Sequence, residues 1–272
     1  MADRPTAEIA VIGGSGFYEL LADGRTVDVD TPYGAPSAPV TIGRIGDRDV
    51  AFLPRHGLRH EIPPHRIPFR ANLWALRGLG VTRVLAPSAA GSLRPDVHPG
   101  ELVVCDQLVD RTSGRPDTFY EGPAVHHVAF ADPYCPELRE AVIPAAREQG
   151  VTTHPTGTMV VIQGPRFSTR AESAWYRSAG WDVIGMTQYP EAVLARELGL
   201  CYSGIALVTD YDTGVEGGAA TDAAPIEAVT MDAVLSVLRD TVGTVRSVLG
   251  AVIPTIPSAR SCSCASGAAQ EE

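Results

Sequence analysis

The sequence has no excess of positive charge: 22 basic residues against 32 acidic ones leave a net charge of −10. General binding to nucleic acid or to an anionic membrane needs basic patches, so neither is expected. An anionic small molecule would need a local site of arginine, backbone N–H groups and hydroxyls. Met1-Ala2-Asp3-Arg4-Pro5 lacks the apolar core of a secretion signal, and no uncharged run reaches the length of a membrane span. The expectation is a cytoplasmic protein. Cysteine is scarce, with five residues placed unevenly. Cys105, Cys135 and Cys201 lie in apolar contexts and read as buried thiols. Cys262 and Cys264 fall in a small, polar tail and read as exposed thiols, because two ligands alone do not complete a tetrahedral zinc shell.

Several common signatures are also missing. There is no internal repeat and no long linker. Glu8-Ile9-Ala10-Val11-Ile12 reads as a buried strand running into Gly13-Gly14-Ser15-Gly16, but Glu19 stands where a dinucleotide fingerprint needs its third glycine. No Gly-Lys-Ser/Thr follows, so a P-loop is excluded as well. His56, His60 and His65 lack the H-E-x-x-H spacing and a carboxylate placed to complete a metal site, so no metal is expected there.

What is present suits an α/β enzyme. With 272 residues, 44% hydrophobic and 20% charged, the chain is long enough for one large domain or two small ones. Strands are predicted at 8–12, 49–53, 81–86, 101–106, 157–163, 181–186 and 201–209. Helices are predicted at 70–77, 136–148, 169–179, 190–198 and 226–249. The alternation implies a parallel or mixed sheet. The tail from Ser258 onward is predicted to be disordered.

Three predicted strand ends share one chemistry. Gly13-Gly14-Ser15-Gly16 lets backbone approach a ligand and offers a hydroxyl; Arg55-His56 offers a forked cation and an imidazole; Ser88-Ala89-Ala90-Gly91-Ser92 offers N–H groups and a hydroxyl. Together they describe an oxyanion cradle in which arginine bonds phosphate bidentately. A fourth strand ends in Asp210-Tyr211-Asp212. Residues i and i+2 of a strand project to one face, so the two carboxylates would meet a ligand offering N–H donors, such as the amino group of adenine. Read alone, the triplet looks more like two turn-forming aspartates after a strand than a site.

These segments, with Gln163-Gly164-Pro165-Arg166-Phe167-Ser168-Thr169-Arg170-Ala171-Glu172-Ser173 and Gly185-Met186-Thr187, occur in an order that resembles the trimeric purine nucleoside phosphorylase family, specifically its 5′-methylthioadenosine phosphorylase branch. The resemblance spans roughly residues 8–254. It implies a single domain with a central mixed, partly barrel-like sheet flanked by helices, a flexible segment 1–7 and a disordered tail 255–272. It implies phosphorolysis of S-methyl-5′-thioadenosine, with inorganic phosphate as co-substrate and no cofactor. Phosphate would meet Ser15, Arg55, His56, Ser88, Ala89 and Thr187. The nucleoside would meet Phe167, Ser168, Met186, Asp210 and Asp212, with Asp210 as general acid toward the base and Asp212 as its partner. The 5′ substituent would meet His60, Met231, Val234 and Leu235, with His127 reaching over from a neighbouring subunit of a homotrimer or a dimer of trimers.

The family's 6-oxopurine branches carry Asn at the Asp210 position and Glu at the Ser168 position, which this sequence lacks. Ser15 and Ser88 replace the more usual threonine, Gly185 stands where asparagine is common, and residues 213–225 are longer and richer in glycine than the family pattern. That last departure leaves open another 5′-substituted adenosine, such as a 5′-halo one. A 6-oxopurine nucleoside or methylthioinosine is the further alternative.

Overall fold

A computed structural model describes residues 6–14, 21, 23–123, 125–213, 215 and 230–267. The strands are β1 (Ile9–Gly13), β2 (Arg25–Val27), β3 (Val40–Ile45), β4 (Arg48–Pro54), β5 (Arg83–Ser92), β6 (Leu102–Val104), β7 (Gln107–Arg111), β8 (Thr153–His154), β9 (Thr158–Ile162), β10 (Val183–Gly185) and β11 (Cys201–Tyr211). The helices are α1 (Phe69–Gly78), α2 (Pro136–Glu148), α3 (Arg170–Ser178), α4 (Gln188–Glu197) and α5 (Met231–Thr255).

Among the described residues, all eleven strands join one mixed sheet that branches at β5 and does not close into a barrel. The path β2-β3-β4-β1-β5 continues through β10, β9 and β7, while β11 also pairs with β5 and carries β6 and β8 beyond it. β1, β4, β5 and β11 run parallel, so their carboxyl ends open on the same side. Period-2 alternation splits the apolar side chains between two faces. In β11, Tyr202, Ala206 and Val208 join a core shared with Leu73 and Leu76 of α1 and Leu194 of α4. Cys201, Ile205 and Leu207 point the other way, onto Leu138 and Val142 of α2 and Val245, Val248 and Leu249 of α5.

Two sequence expectations change here. Ser88–Ser92 is not a loop after a strand but the second half of β5, which pairs along its length with β11 (Ser88 opposite Ala206, Ser92 opposite Tyr211). Small side chains let the strand continue between close neighbours. The tail is ordered through Gly267: α5 runs on to Thr255, and Ser263–Gly267 forms a 3₁₀ turn that buries Cys264. Polar composition predicted disorder because it sees no apolar surface to bury. The segment is instead held by named bonds, including Arg83 Nη2 to Ser258 O at 3.1 Å and Ser261 N to Glu137 Oε2 at 2.7 Å.

Candidate active site

The carboxyl ends of β1 and β4 are tied together by Arg55 N donating to Gly13 O at 2.8 Å. They border a cavity of about 400 Å³, within the usual size of a small-molecule site. Gly14, Arg55, His56, Ser88, Ala89 and Thr187 line one end of it. Ser15 lies outside the described residues.

Arg55 departs from its predicted geometry. Its fork is docked on the buried Glu191, with Nε to Oε1 at 2.8 Å and Nη2 to Oε2 at 2.9 Å. Nη2 also donates to Ile12 O at 2.9 Å and Nη1 to Pro87 O at 3.2 Å. Of the five guanidinium N–H groups, four are taken among the described residues and one on Nη1 is left for a ligand, so bidentate contact with an anion is unavailable. Burial without that partner would be costly for the cation; Glu191, in the first turn of α4, and Tyr202 O–H donating to Glu191 Oε2 at 2.8 Å complete the network.

All the basic residues of the chain are arginines. Among the described residues, Arg55 is the one arginine lining the cavity. Neutral donors must therefore do the rest. His56 shares Nδ1 with Ile62 O at 2.9 Å, and the carbonyl can only accept, so Nδ1 carries the proton. Burial lowers its pKa to about 4, so at neutral pH the ring is uncharged and Nε2 is an acceptor. Gln188 Nε2 donates to Ser88 Oγ at 3.3 Å, which leaves the Ser88 proton free to donate. Gln188 is itself fixed by Tyr134 O–H on its Oε1. Thr187 is buried at the start of α4, and its hydroxyl makes no capping bond.

The opposite end is acidic. β11 bulges after Val208: Val208 faces Ala90, but Asp210 faces the next residue, Gly91. The added residue turns the strand. Asp210 and Asp212 line the cavity, while Tyr211 turns away to share a 2.5 Å hydrogen bond with His98 Nδ1. A Cβ on Gly91 would sit 3.1 Å from Asp210 Oδ2 and 3.6 Å from Asp212 Cβ, so glycine there lets the carboxylates close over the strand.

Burial pushes the Asp210 carboxyl up to about 6, helped by the Asp212 charge and opposed by Thr209 Oγ1 donating to its Oδ1 at 2.7 Å. Burial raises Asp212 in the same direction. Asp212 Oδ2 and the Ser168 hydroxyl are buried with no hydrogen-bond partner among the described residues. Orphaned polar atoms facing one cavity are the mark of a ligand that would satisfy them.

Phe167, Ser168 and Met186 complete this wall. Gly164 has φ +60°, and a Cβ there would come within 2.6 Å of Met186 Sδ. Arg115 holds the two segments together, donating from Nη1 to Met186 O at 2.9 Å and from Nη2 to Gln163 O at 2.8 Å. The remaining wall carries His60, stacked on His56 with centroids 4.4 Å apart, and Val234 and Leu238 one turn apart on α5. The side chains of Met231 and Leu235 lie outside the described residues, as does most of 213–225. His127 is exposed and does not line the cavity of its own chain.

A family model described as the phosphorylase superfamily matches residues 8–239. The chain belongs to the phosphorylase superfamily. An S-methyl-5′-thioadenosine phosphorylase of Mycolicibacterium smegmatis is 61% identical over 80% of this chain and 82% of its own length. A purine nucleoside phosphorylase of Streptomyces coelicolor is 50% identical over 99% of this chain and 96% of its own. Among solved structures, the methylthioadenosine phosphorylase of Schistosoma mansoni in complex with adenine matches with a TM-score of 0.86 at 38% identity, covering 94% of this chain and 93% of that one.

In this member of the phosphorylase superfamily, sequence reasoning missed Glu191, Gln188, Arg115 and Leu238, and it placed Gly91 in the anion cradle rather than under the two aspartates. Leu238 had a usable signal, since it follows Val234 by i+4. The other three act through contacts between segments far apart in sequence, which no local pattern displays. Among the described residues, no helix is long and apolar enough to cross a membrane.

Proposed function

We propose that the chain catalyses phosphorolysis of S-methyl-5′-thioadenosine, yielding adenine and 5-methylthioribose-1-phosphate. The observation that carries this is the polarity of this cavity: neutral hydroxyl and N–H donors at one end, and at the other a carboxyl held near a pKa of 6 beside Asp212, one of whose carboxyl oxygens lacks a partner among the described residues. Phosphate lies at the first end, against Ser88, Thr187, the Ala89 backbone, the remaining Arg55 N–H and Ser15. His56 Nε2 accepts a hydrogen bond from the P–OH of hydrogenphosphate. The purine lies at the second end, packed on Phe167, with its ribose against Met186.

The C1′–N9 bond breaks with its electron pair going to the base, leaving positive charge on the ribosyl ring next to the phosphate dianion. Asp210 in its acid form delivers a proton to N7, and Asp212 accepts from the 6-amino group. A phosphate oxygen then forms the new bond to C1′, and Asp210 recovers its proton from solvent. Phosphate is a co-substrate here, and no cofactor enters. A 6-oxopurine would set its O6 against the Asp212 lone pairs and leave buried groups unpaired, which costs about 1–3 kcal/mol.

The 5′ substituent lies along His60, Val234 and Leu238, with Met231 and Leu235 on the same helix. His127 completes this pocket from a neighbouring subunit of a homotrimer, and the enzyme works in the cytoplasm. The full-length similarity to a relative named purine nucleoside phosphorylase favours one second reading, an unmodified purine nucleoside such as inosine. A panel of methylthioadenosine, a 5′-haloadenosine, adenosine and inosine, assayed with and without phosphate for release of free base, separates them. Phosphate-dependent release of adenine, fastest from methylthioadenosine, is expected. Faster hypoxanthine release would favour the second reading, and base release without phosphate would sink both.

A further inference from the structure

The four cysteines Cys135, Cys201, Cys262 and Cys264 meet at one point, far apart in sequence and away from the cavity, whose walls include none of them. Their sulfurs all lie within 4.8 Å of one another, and Cys201 Sγ and Cys262 Sγ are 3.4 Å apart. A tetrahedral zinc with Zn–S bonds of about 2.3 Å sets neighbouring sulfurs about 3.8 Å apart. We propose that these four thiolates form a structural zinc site that fastens the C-terminal segment to the body of the enzyme.

The protein builds the site from three directions. Cys135 stands immediately before α2, a helix of 13 residues whose amino end favours negative charge on the sulfur. Cys201 opens β11, and Cys135 N donates to Tyr202 O at 2.8 Å, which sets these first two ligands side by side. The tail brings the other pair. Arg260 Nη1 donates to Gly199 O at 2.7 Å, Ser261 N and Oγ both donate to Glu137 Oε2 at 2.7 Å, and His126 Nε2 shares a 2.9 Å hydrogen bond with Gly267 O. These bonds flank Cys262 and Cys264 on both sides and present their sulfurs inward.

The donor set decides the metal and its role. Four sulfurs with no oxygen ligand select a soft ion and reject magnesium and calcium. Cys135, Cys201 and Cys264 are buried and only Cys262 is partly open, so no coordination position is left for water or substrate. A closed four-sulfur shell is a structural centre rather than a catalytic one. Cys262-Ser263-Cys264 offers two ligands when read alone; the fold supplies the missing two from α2 and β11.

The test is metal content and thiol state on the full-length enzyme, isolated under reducing, anaerobic conditions and dialysed against zinc sulfate before removal of loose metal. Mass spectrometry of the elements is expected to find one zinc per chain. Cobalt substitution should give the intense thiolate-to-cobalt charge-transfer bands of a tetrahedral all-sulfur site, a signature that mere packing of thiols would not produce. C262S, at the most exposed ligand, and C264S should lose the zinc and lower Tm while leaving phosphorolysis of methylthioadenosine at 25 °C close to that of the parent. C105S, whose buried thiol is outside the cluster, should keep the zinc. Five reactive thiols and no zinc after reconstitution would overturn the proposal. So would an intact mass short by four hydrogens in metal-free protein, which marks two disulfides.

Discussion

The two ends of the cavity carry their charges in opposite ways. At the phosphate end, Arg55 arrives already bonded: Glu191 holds its fork, and two carbonyls take further N–H groups. At the base end, Asp210 and Asp212 are buried side by side, with Asp212 Oδ2 and Ser168 Oγ lacking partners among the described residues. In the proposed reaction the first end is scaffold that also binds phosphate, while the second is completed by the purine, and its burial cost in the free protein is what would make its acid chemistry available near neutral pH.

Asp210→Asn should break the comparison at its reactive end. The amide can donate a hydrogen bond to N7 but cannot give up a proton, so kcat/KM on methylthioadenosine should fall by about 10²–10⁴-fold, the usual range for loss of a general acid. Selection against inosine should relax at the same time. Equal rates for variant and parent on both substrates would remove Asp210 from the reaction.

At the other end, Arg55→Met should act first on the fold. Breaking a buried pair from one side strands the other charge and costs about 3–5 kcal/mol. Urea unfolding should show this loss, together with a raised KM for phosphate. Arg55→Met with Glu191→Leu removes both charges, and should recover most of the stability without recovering phosphate affinity. If the single variant were as stable as the parent, the scaffold role of Arg55 would be wrong.

The acidic end should also show in the pH dependence. The folded pKa of Asp210, about 6, lies above the ordinary carboxyl value, so the native state binds the proton more tightly than the unfolded chain. Its contribution to stability is complete below about pH 4 and is lost as the pH rises through about 6. Asp212, also raised by burial, adds with the same sign. Asp210→Asn should remove most of this slope and exceed the parent in stability above pH 6, by on the order of 2–3 kcal/mol. Paired melts at about pH 5 and about pH 8 test it, and a variant no more stable than the parent at the higher pH would contradict it. For the parent, kcat/KM should decline as the pH passes about 6, because the acid form of Asp210 disappears.

The contrast between the two ends also explains what was legible in the sequence. Asp210, Asp212, Arg55 and His56 stand at the ends of apolar runs, and strand periodicity plus the location of ligand sites at strand ends draws attention to them. The bulge after Val208 was not legible: alternation puts Asp210 and Asp212 on one face, but it does not show the added residue before them or the side-chain-free Gly91 that set them against β5. Glu191 looks like an ordinary helix residue, and only its 2.8 Å contact with Arg55, across 136 positions of sequence, reveals its role. The tail failed for the same reason. Ser258–Gly267 is held by hydrogen bonds to Arg83, Glu137 and Gly199, which a compositional reading cannot see.

The smallest expected effect lies on the apolar wall between the two ends. Val234 and Leu238 present aliphatic surface to the cavity from successive turns of α5, and nothing in their chemistry distinguishes phosphate from purine. Their effect should therefore fall on the 5′ substituent alone. An apolar pocket discriminates weakly, by about 1–3 kcal/mol for a methylene-sized change, so Leu238→Ala should reduce the preference for methylthioadenosine over adenosine by roughly 10-fold. KM for phosphate should not move, since the proposed phosphate contacts, Arg55, Ser88 and Thr187, lie at the other end. Kinetics with the two nucleosides at varied phosphate separate these terms. A change in phosphate KM with an unchanged nucleoside preference would mean that α5 supports the anion end, and the division of labour proposed for the cavity would have to be redrawn.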